Sequence, residues 1–157
     1  MIDDLVQALN DKPRLERFAV RLALIREPGV RRSAPLLSSP EAVYQTFQSM
    51  AALDRECLAV ALLDTKNRLV GVHAVHIGTV TQAFADPSDV YKAAILANVR
   101  AIVVVHNHPS GDPNPSPEDI HATSRLQQAG KVLGIRLLDH IVVAEDGFVS
   151  LREKGLI

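Results

Sequence analysis

Residues 101–119 read AIVVVHNHPSGDPNPSPED, and the stretch dictates the layers around it. AIVVVH is a run of β-branched residues with no polar interruption before His106, the composition of a strand covered on both faces. Pro109, Gly111, Pro113, Pro115 and Pro117 then stiffen or turn the chain and keep it out of regular pairing. Ser116, followed by Pro117, Glu118 and Asp119, reads as a helix start, with a serine N-cap, proline in the first turn and carboxylates at the positive end of the helix dipole. A strand buried on both faces needs helices above and below it, so this segment predicts an α/β fold with a loop of concentrated chemistry just past a strand end.

The flanking sequence extends the same pattern. Upstream, DPSDVYKAAILANVR (86–100) is a helix opened by Asp86 with Pro87 just inside it. CLAVALLD (57–64), the turn DTKN and RLVGVHAVHIG (68–78) form a hairpin with a buried first strand, and a further strand is expected near Thr79 to Phe84. Ser39 caps a helix with Pro40 at its first position, whose apolar face of Val43, Phe47 and Met50 continues to about Asp54. Downstream, a helix from Ser116 to about Lys131 leads to the strand IRLLDHIVVA (135–144), the turn EDG and a last strand FVSL. The sum is a mixed sheet flanked by helices. Leu15, Phe18, Leu22 and Ile25 predict a further helix near the start, and EPGVRRSAPLLSSP (27–40) has the composition of a linker. Residues 1–36 are therefore read as a helical lead and linker, and 37–157 as the main domain.

Composition narrows the functional classes. A chain of 157 residues with 47% apolar and 22% charged residues suits one globular domain, and a formal net charge of −1 gives no general attraction to nucleic acid or an anionic membrane. Cys57 is the single cysteine, which excludes an intrachain disulfide and an all-cysteine metal site. MIDDLVQALNDK lacks the basic and apolar regions of a signal peptide, and no stretch has the apolar length of a membrane span, so a cytoplasmic protein is expected.

The chemistry concentrates at His106 and His108. In extended chain, side chains two residues apart project to the same side, so both imidazoles can address one point. A catalytic zinc site takes three nitrogen or oxygen ligands and leaves a fourth position open, and Asp119 is the best third candidate. The prolines between them lower the entropy cost of holding a helix-borne carboxylate near two strand-end histidines. Read alone, SPED is a helix cap and His-x-His a common loop sequence. Their combination on one stiff loop is what points to a metal.

The spacing of His106, His108, Ser116 and Asp119 resembles the motif of JAMM (JAB/MPN+) metalloproteases, and HNHPSGDP with PSPED resembles the RadC branch of that superfamily. LLDTKNRLVG, IGTV, GIRLLDHIVV and FVSLREKG extend the likeness over residues 37–157. The resemblance implies a deaminase-like three-layer α/β/α sandwich with one Zn2+ per chain on His106, His108 and Asp119. It further implies that Ser116 stabilises a tetrahedral intermediate and that a glutamate at the start of the first strand, here Glu56, is the general base. Water activated by zinc would then attack the amide carbonyl of a peptide or isopeptide in a peptide or protein substrate. Two departures stand out: DPSD (86–89) replaces the HPRE-like sequence of RadC proteins, and their helix-hairpin-helix region is not evident in the short helical lead.

Other readings bear on the same residues. The fold could serve as a non-catalytic binding module, against which the intact ligand set argues. A DNA-repair-associated role is suggested by the family name, and Lys12, Arg14, Arg17, Arg21, Arg26, Arg31 and Arg32 could touch phosphates, although such stripes are more often solvated helix faces. His73 and His76, three apart in a strand, are expected on opposite faces, and either Asp139 or His140 could hold a ligand imidazole from behind.

Overall fold

A computed structural model of the protein describes residues 34–78 and 85–157. The expected helix near Leu15 to Ile25, the basic stripe and the strand near Thr79 to Phe84 lie outside the described residues. Among those described, the elements are α1 (Pro40–Phe47), β1 (Cys57–Leu63), β2 (Leu69–Ile77), α2 (Pro87–Leu96), β3 (Ala101–Asn107), α3 (Pro117–Leu133), β4 (Arg136–Ala144) and β5 (Gly147–Ser150).

The purely apolar runs became the middle of the sheet, as burial on both faces demands. Every residue of β1 and of β3 is buried. Strand order is β2-β1-β3-β4-β5, with β3 and β4 parallel and the other pairs antiparallel, so the sheet is mixed. Alternate residues of the central strands feed two cores. Leu58, Val60, Ile102 and Val104 pack with Val90, Tyr91 and Ala94 of α2 and Leu126 of α3. Ala59, Ala61, Val103, Val105 and Ile141 pack on the other face with Val43 and Phe47 of α1. Each fully buried Val, Leu or Ile contributes roughly 1.5–3 kcal/mol relative to exposure, which secures the three-layer α/β/α arrangement.

Local chemistry places the boundaries. Asp64 closes the β1–β2 turn by accepting from the backbone N–H of Lys66 and Arg68 at 2.8 and 2.9 Å, while Asn67 takes the left-handed conformation with φ of 58°. The first helix is shorter than its apolar pattern suggests: α1 stops at Phe47 and a 3-10 turn runs over Gln48–Ala52. No residue of that turn is fully buried, and Met50 packs against the core from the 3-10 turn. The expectation for His73 and His76 is corrected as well. A register shift in β2 sets His73 opposite Val60 and His76 opposite Leu58, and the extra residue brings both histidines to one face.

Candidate metal centre

β3 ends in the middle of the sheet, and the chemistry begins there. The His108 N–H donates to the Val143 carbonyl at 2.9 Å, so extended pairing with β4 continues past Asn107. His106 and His108 therefore keep strand alternation and project to the face that carries α2 and α3, with His106 fully buried and His108 half-buried. Gly111, at φ of 89°, then turns the chain back, a conformation that disfavours any side chain. The turn delivers the Asp112 carbonyl to 2.9 Å from Nδ1 of His108. A carbonyl only accepts, so that nitrogen carries the hydrogen.

Ser116 caps α3 as the sequence predicts, and the cap also prepares Asp119. The Ser116 Oγ accepts from the Asp119 N–H at 3.1 Å, while the Ser116 N–H and hydroxyl both donate to Asp119 Oδ2 at 2.7 Å. This reciprocal box aims the carboxylate at the histidines. Asp119 Oδ1 lies 3.3 Å from Nε2 of His106, and Oδ2 lies 3.4 Å from Nε2 of His108. The two Nε2 atoms are 2.9 Å apart. Ligand atoms of His106, His108 and Asp119 thus fall within 4.8 Å of one another. Burial opposes the ionised form of Asp119, yet hydrogen bonds from His106, His108 and Ser116 outweigh it and hold the carboxyl far below the usual carboxylate range. The hydrogen bond to Asp119 raises His108 above the ordinary imidazole value against partial burial. Two ring nitrogens and a carboxylate converging on one point, with an ordered partner behind His108, form a group that could hold a metal ion.

Behind His106 lies a second layer. Its Nδ1 is 2.7 Å from Nε2 of His140, whose Nδ1 is 2.6 Å from Oγ1 of Thr123. That hydroxyl donates to the Asp119 carbonyl at 2.6 Å. His140 is fully buried, and desolvation holds its pKa well below that of free imidazole. A register shift after Ile102 sets His140 opposite Val104, on the face of His106. Asp139 points elsewhere. It accepts from the Ser150 hydroxyl and from the N–H groups of His140 and Arg152, tying β4 to the chain after β5. Of the two residues the sequence leaves open, His140 is the one behind the ligand.

Glu56 is half-buried immediately before β1, and its charge contributes to raising His108. Its backbone is held from the metal-facing strand. Asn107, between the two histidines, accepts from the Cys57 N–H at 2.8 Å and donates to the Arg55 carbonyl at 3.1 Å, bracketing Glu56. Sequence reasoning missed this bracket, since nothing marks the middle residue of His-x-His as a clamp on a chain segment 50 positions away. It also missed Thr123, whose one signal is its place four residues after Asp119, on the same helix face.

A mixed sheet between helices, with paired histidines ending a central strand and an aspartate opening the next helix, is an α/β fold of JAB type. A family model described as a RadC-like JAB domain matches residues 37–156, and the chain belongs to that family. It is 46% identical over 119 residues to a UPF0758 protein of Thermotoga maritima, covering 76% of this chain and 54% of that one. A UPF0758 protein of Desulfitobacterium hafniense is 38% identical over 138 residues, covering 87% and 60% respectively. One of Symbiobacterium thermophilum is 46% identical over 135 residues, covering 82% and 58%. The chain therefore spans between half and two thirds of the length of these relatives. Among the described residues no helix is long and apolar enough to cross a membrane.

Proposed function

We propose that the protein is a zinc-dependent hydrolase of the metallopeptidase or isopeptidase type, acting on an amide bond in a peptide or protein. The observation that supports this most is the convergence of His106, His108 and Asp119, whose ligand atoms lie within 4.8 Å at a partly open strand end. On this reading the three side chains hold one Zn2+ and leave a position for water and substrate. When bound, the ion supplies Lewis acidity that brings the pKa of water toward neutrality and polarises a carbonyl. Glu56 accepts the proton from water and returns it to the departing amine. Ser116 gives its hydroxyl hydrogen to Asp119 in the resting site, and swings that hydrogen to the oxygen on which charge develops. No side chain becomes acylated.

The test begins with metal content by elemental mass spectrometry on chelator-free, untagged protein, followed by hydrolysis of peptide and isopeptide libraries. About one zinc per chain is expected. Glu56→Gln should keep the zinc and lose at least about 100-fold in rate, the contribution of a general base. Asp119→Ala should lose both. Full activity in Glu56→Gln removes Glu56 from its role, and wild-type protein that takes up no zinc when offered it makes the chain a non-catalytic module.

A further inference from the structure

We propose that residues 13–25 dock on the open face of β2 and continue the helical layer that α1 begins. Directly opposed residues on paired strands share a face, so Val72, Ala74 and Ile77, set against Ala61, Ala59 and Cys57, belong to the α1 side of the sheet. Ala59 and Ala61 are buried there in one core with Val43 and Phe47 of α1. Val72 is 52% exposed and Ile77 63%, and Ala74 is exposed as well. The cover stops short of them because α1 and the 3-10 turn sit chiefly over β3 and β4. On the other side α2 packs on both β1 and β2, so among the described residues β2 is well covered on one face only. An antiparallel strand with one solvated face normally turns polar residues to the water. β2 does the reverse: His73 and His76 lie on the side that α2 shares, and the open side presents Leu69, Val72, Ala74 and Ile77. A contiguous apolar face of this kind marks a surface that something covers.

The described chain begins on the outer edge of this same strand. Leu36 forms an antiparallel bridge with Arg68, the Leu37 N–H donating to the Asn67 carbonyl and the Leu69 N–H to the Pro35 carbonyl, each at 2.9 Å. Followed upstream, an antiparallel partner of Arg68 runs the way β2 itself runs, from Leu69 toward Ile77. The chain before Ala34 is thereby led along the edge of the apolar face. Pro28 and Gly29 then supply a turn that can reverse it. The stretch from Ile25 to Ala34 reaches at most about 30 Å, and the nine residues of β2 span about the same length. A helix from Leu15 to Ile25 would be about 16 Å long and fits within that span. Its stripe of Leu15, Phe18, Leu22 and Ile25 would meet Val72, Ala74 and Ile77, leaving Arg14, Arg17 and Arg21 in water.

A tethered occupant suits this face better than a separate molecule. A stable interface between free chains takes about 800 Å² from each partner, more than four small side chains on one strand provide. A segment joined by a short linker acts at an effective concentration of about millimolar, so a narrow stripe suffices. A second apolar recess lies between α2 and α3, lined by Tyr91, Ile95, Leu96, Val132 and Leu133. It is on the far side of the sheet, and α2, packed on β1 and β2, stands between it and the edge where the chain enters.

The experiment uses the full chain with 13C-methyl-labelled valine and isoleucine and a nitroxide attached at Arg21→Cys, on the basic side, where it leaves the apolar stripe intact. Cys57 is buried, and wild-type chain treated with the same reagent controls for its labelling. The methyl signals of Val72 and Ile77 should lose most of their intensity, while those of Ile95 and Val132 keep theirs. Leu22→Asp, which places a charge in the stripe, should restore the Val72 and Ile77 signals, and Ala74→Asp on the strand should restore that of Ile77. Broadening that persists in both aspartate variants overturns the apolar contact. Loss of signal at Ile95 and Val132 instead seats the segment between α2 and α3 and overturns the proposal, as does full intensity at every methyl group. Nitroxide-bearing chains without isotope, mixed with isotope-labelled chains without nitroxide, should leave Val72 and Ile77 sharp. Broadening in that mixture means that a second copy supplies the segment, which overturns docking within one chain. Should an aspartate variant fail to fold, the nitroxide pattern and the mixture still decide.

Discussion

Asn107 is boxed between two candidate ligands, yet its side chain does its work on another strand. Both of its amide contacts go to backbone groups on either side of Glu56, and Asn107 itself is fully buried. Replacing it by alanine strands the buried Cys57 N–H, and an unsatisfied buried donor costs about 1–3 kcal/mol. Urea unfolding of Asn107→Ala should show a stability loss of that size, and a midpoint equal to wild type would mean that water takes over the amide's role. The histidines and Asp119 are legible from residue types and spacing because strand alternation and a helix cap are local rules. Glu56 was reached by family likeness. Asn107 and Thr123 stayed hidden, because their partners are chosen by strand pairing and by the packing of α3.

At the level of elements, α3 carries the site at its first turn and the core along its length. Its fit against α2 depends on a missing side chain. A Cβ at Gly130 would fall 2.5 Å from the Ile135 carbonyl oxygen and 2.5 Å from Oη of Tyr91. In an open helix, alanine would gain up to about 1 kcal/mol over glycine. Here the contact with backbone cannot relax cheaply, and overpacking of about 1–3 kcal/mol outweighs that gain. Gly130→Ala should therefore lower the thermal midpoint despite its better helix propensity, and a raised midpoint would show that α3 can shift. The element order around the sheet follows from apolar run length and punctuation. The early end of α1 did not, since Met50 keeps its place on the apolar face and packs against the core from a 3-10 turn instead. The shared face of His73 and His76 was equally hidden, because a bulge is set by pairing with β1.

For the whole molecule, the buried Tyr91 provides a titration that reports on the fold. Its hydroxyl donates to the Leu126 carbonyl at 2.8 Å, and burial pushes its pKa up to about 12. An unfolded tyrosine titrates near about 10, so above that pH the unfolded chain sheds a proton that the folded chain retains. This contribution is complete below about pH 10 and is lost as pH rises toward 12. Wild-type stability should fall across that window, and Tyr91→Phe should show a shallower fall. Equal alkaline slopes in denaturant titrations would place the effect on other groups. The layered architecture, the strand end that bears the site and the metal-type ligand set were determined by the sequence itself, through apolar runs, turn residues and the spacing of two histidines from a helix cap. Which of Asp139 and His140 stands behind a ligand, and how Asn107 brackets Glu56, were decided only by tertiary structure. The reason is physical: those contacts depend on the β3–β4 register and on buried neighbours brought together across the sheet, and no local pattern in the chain specifies them.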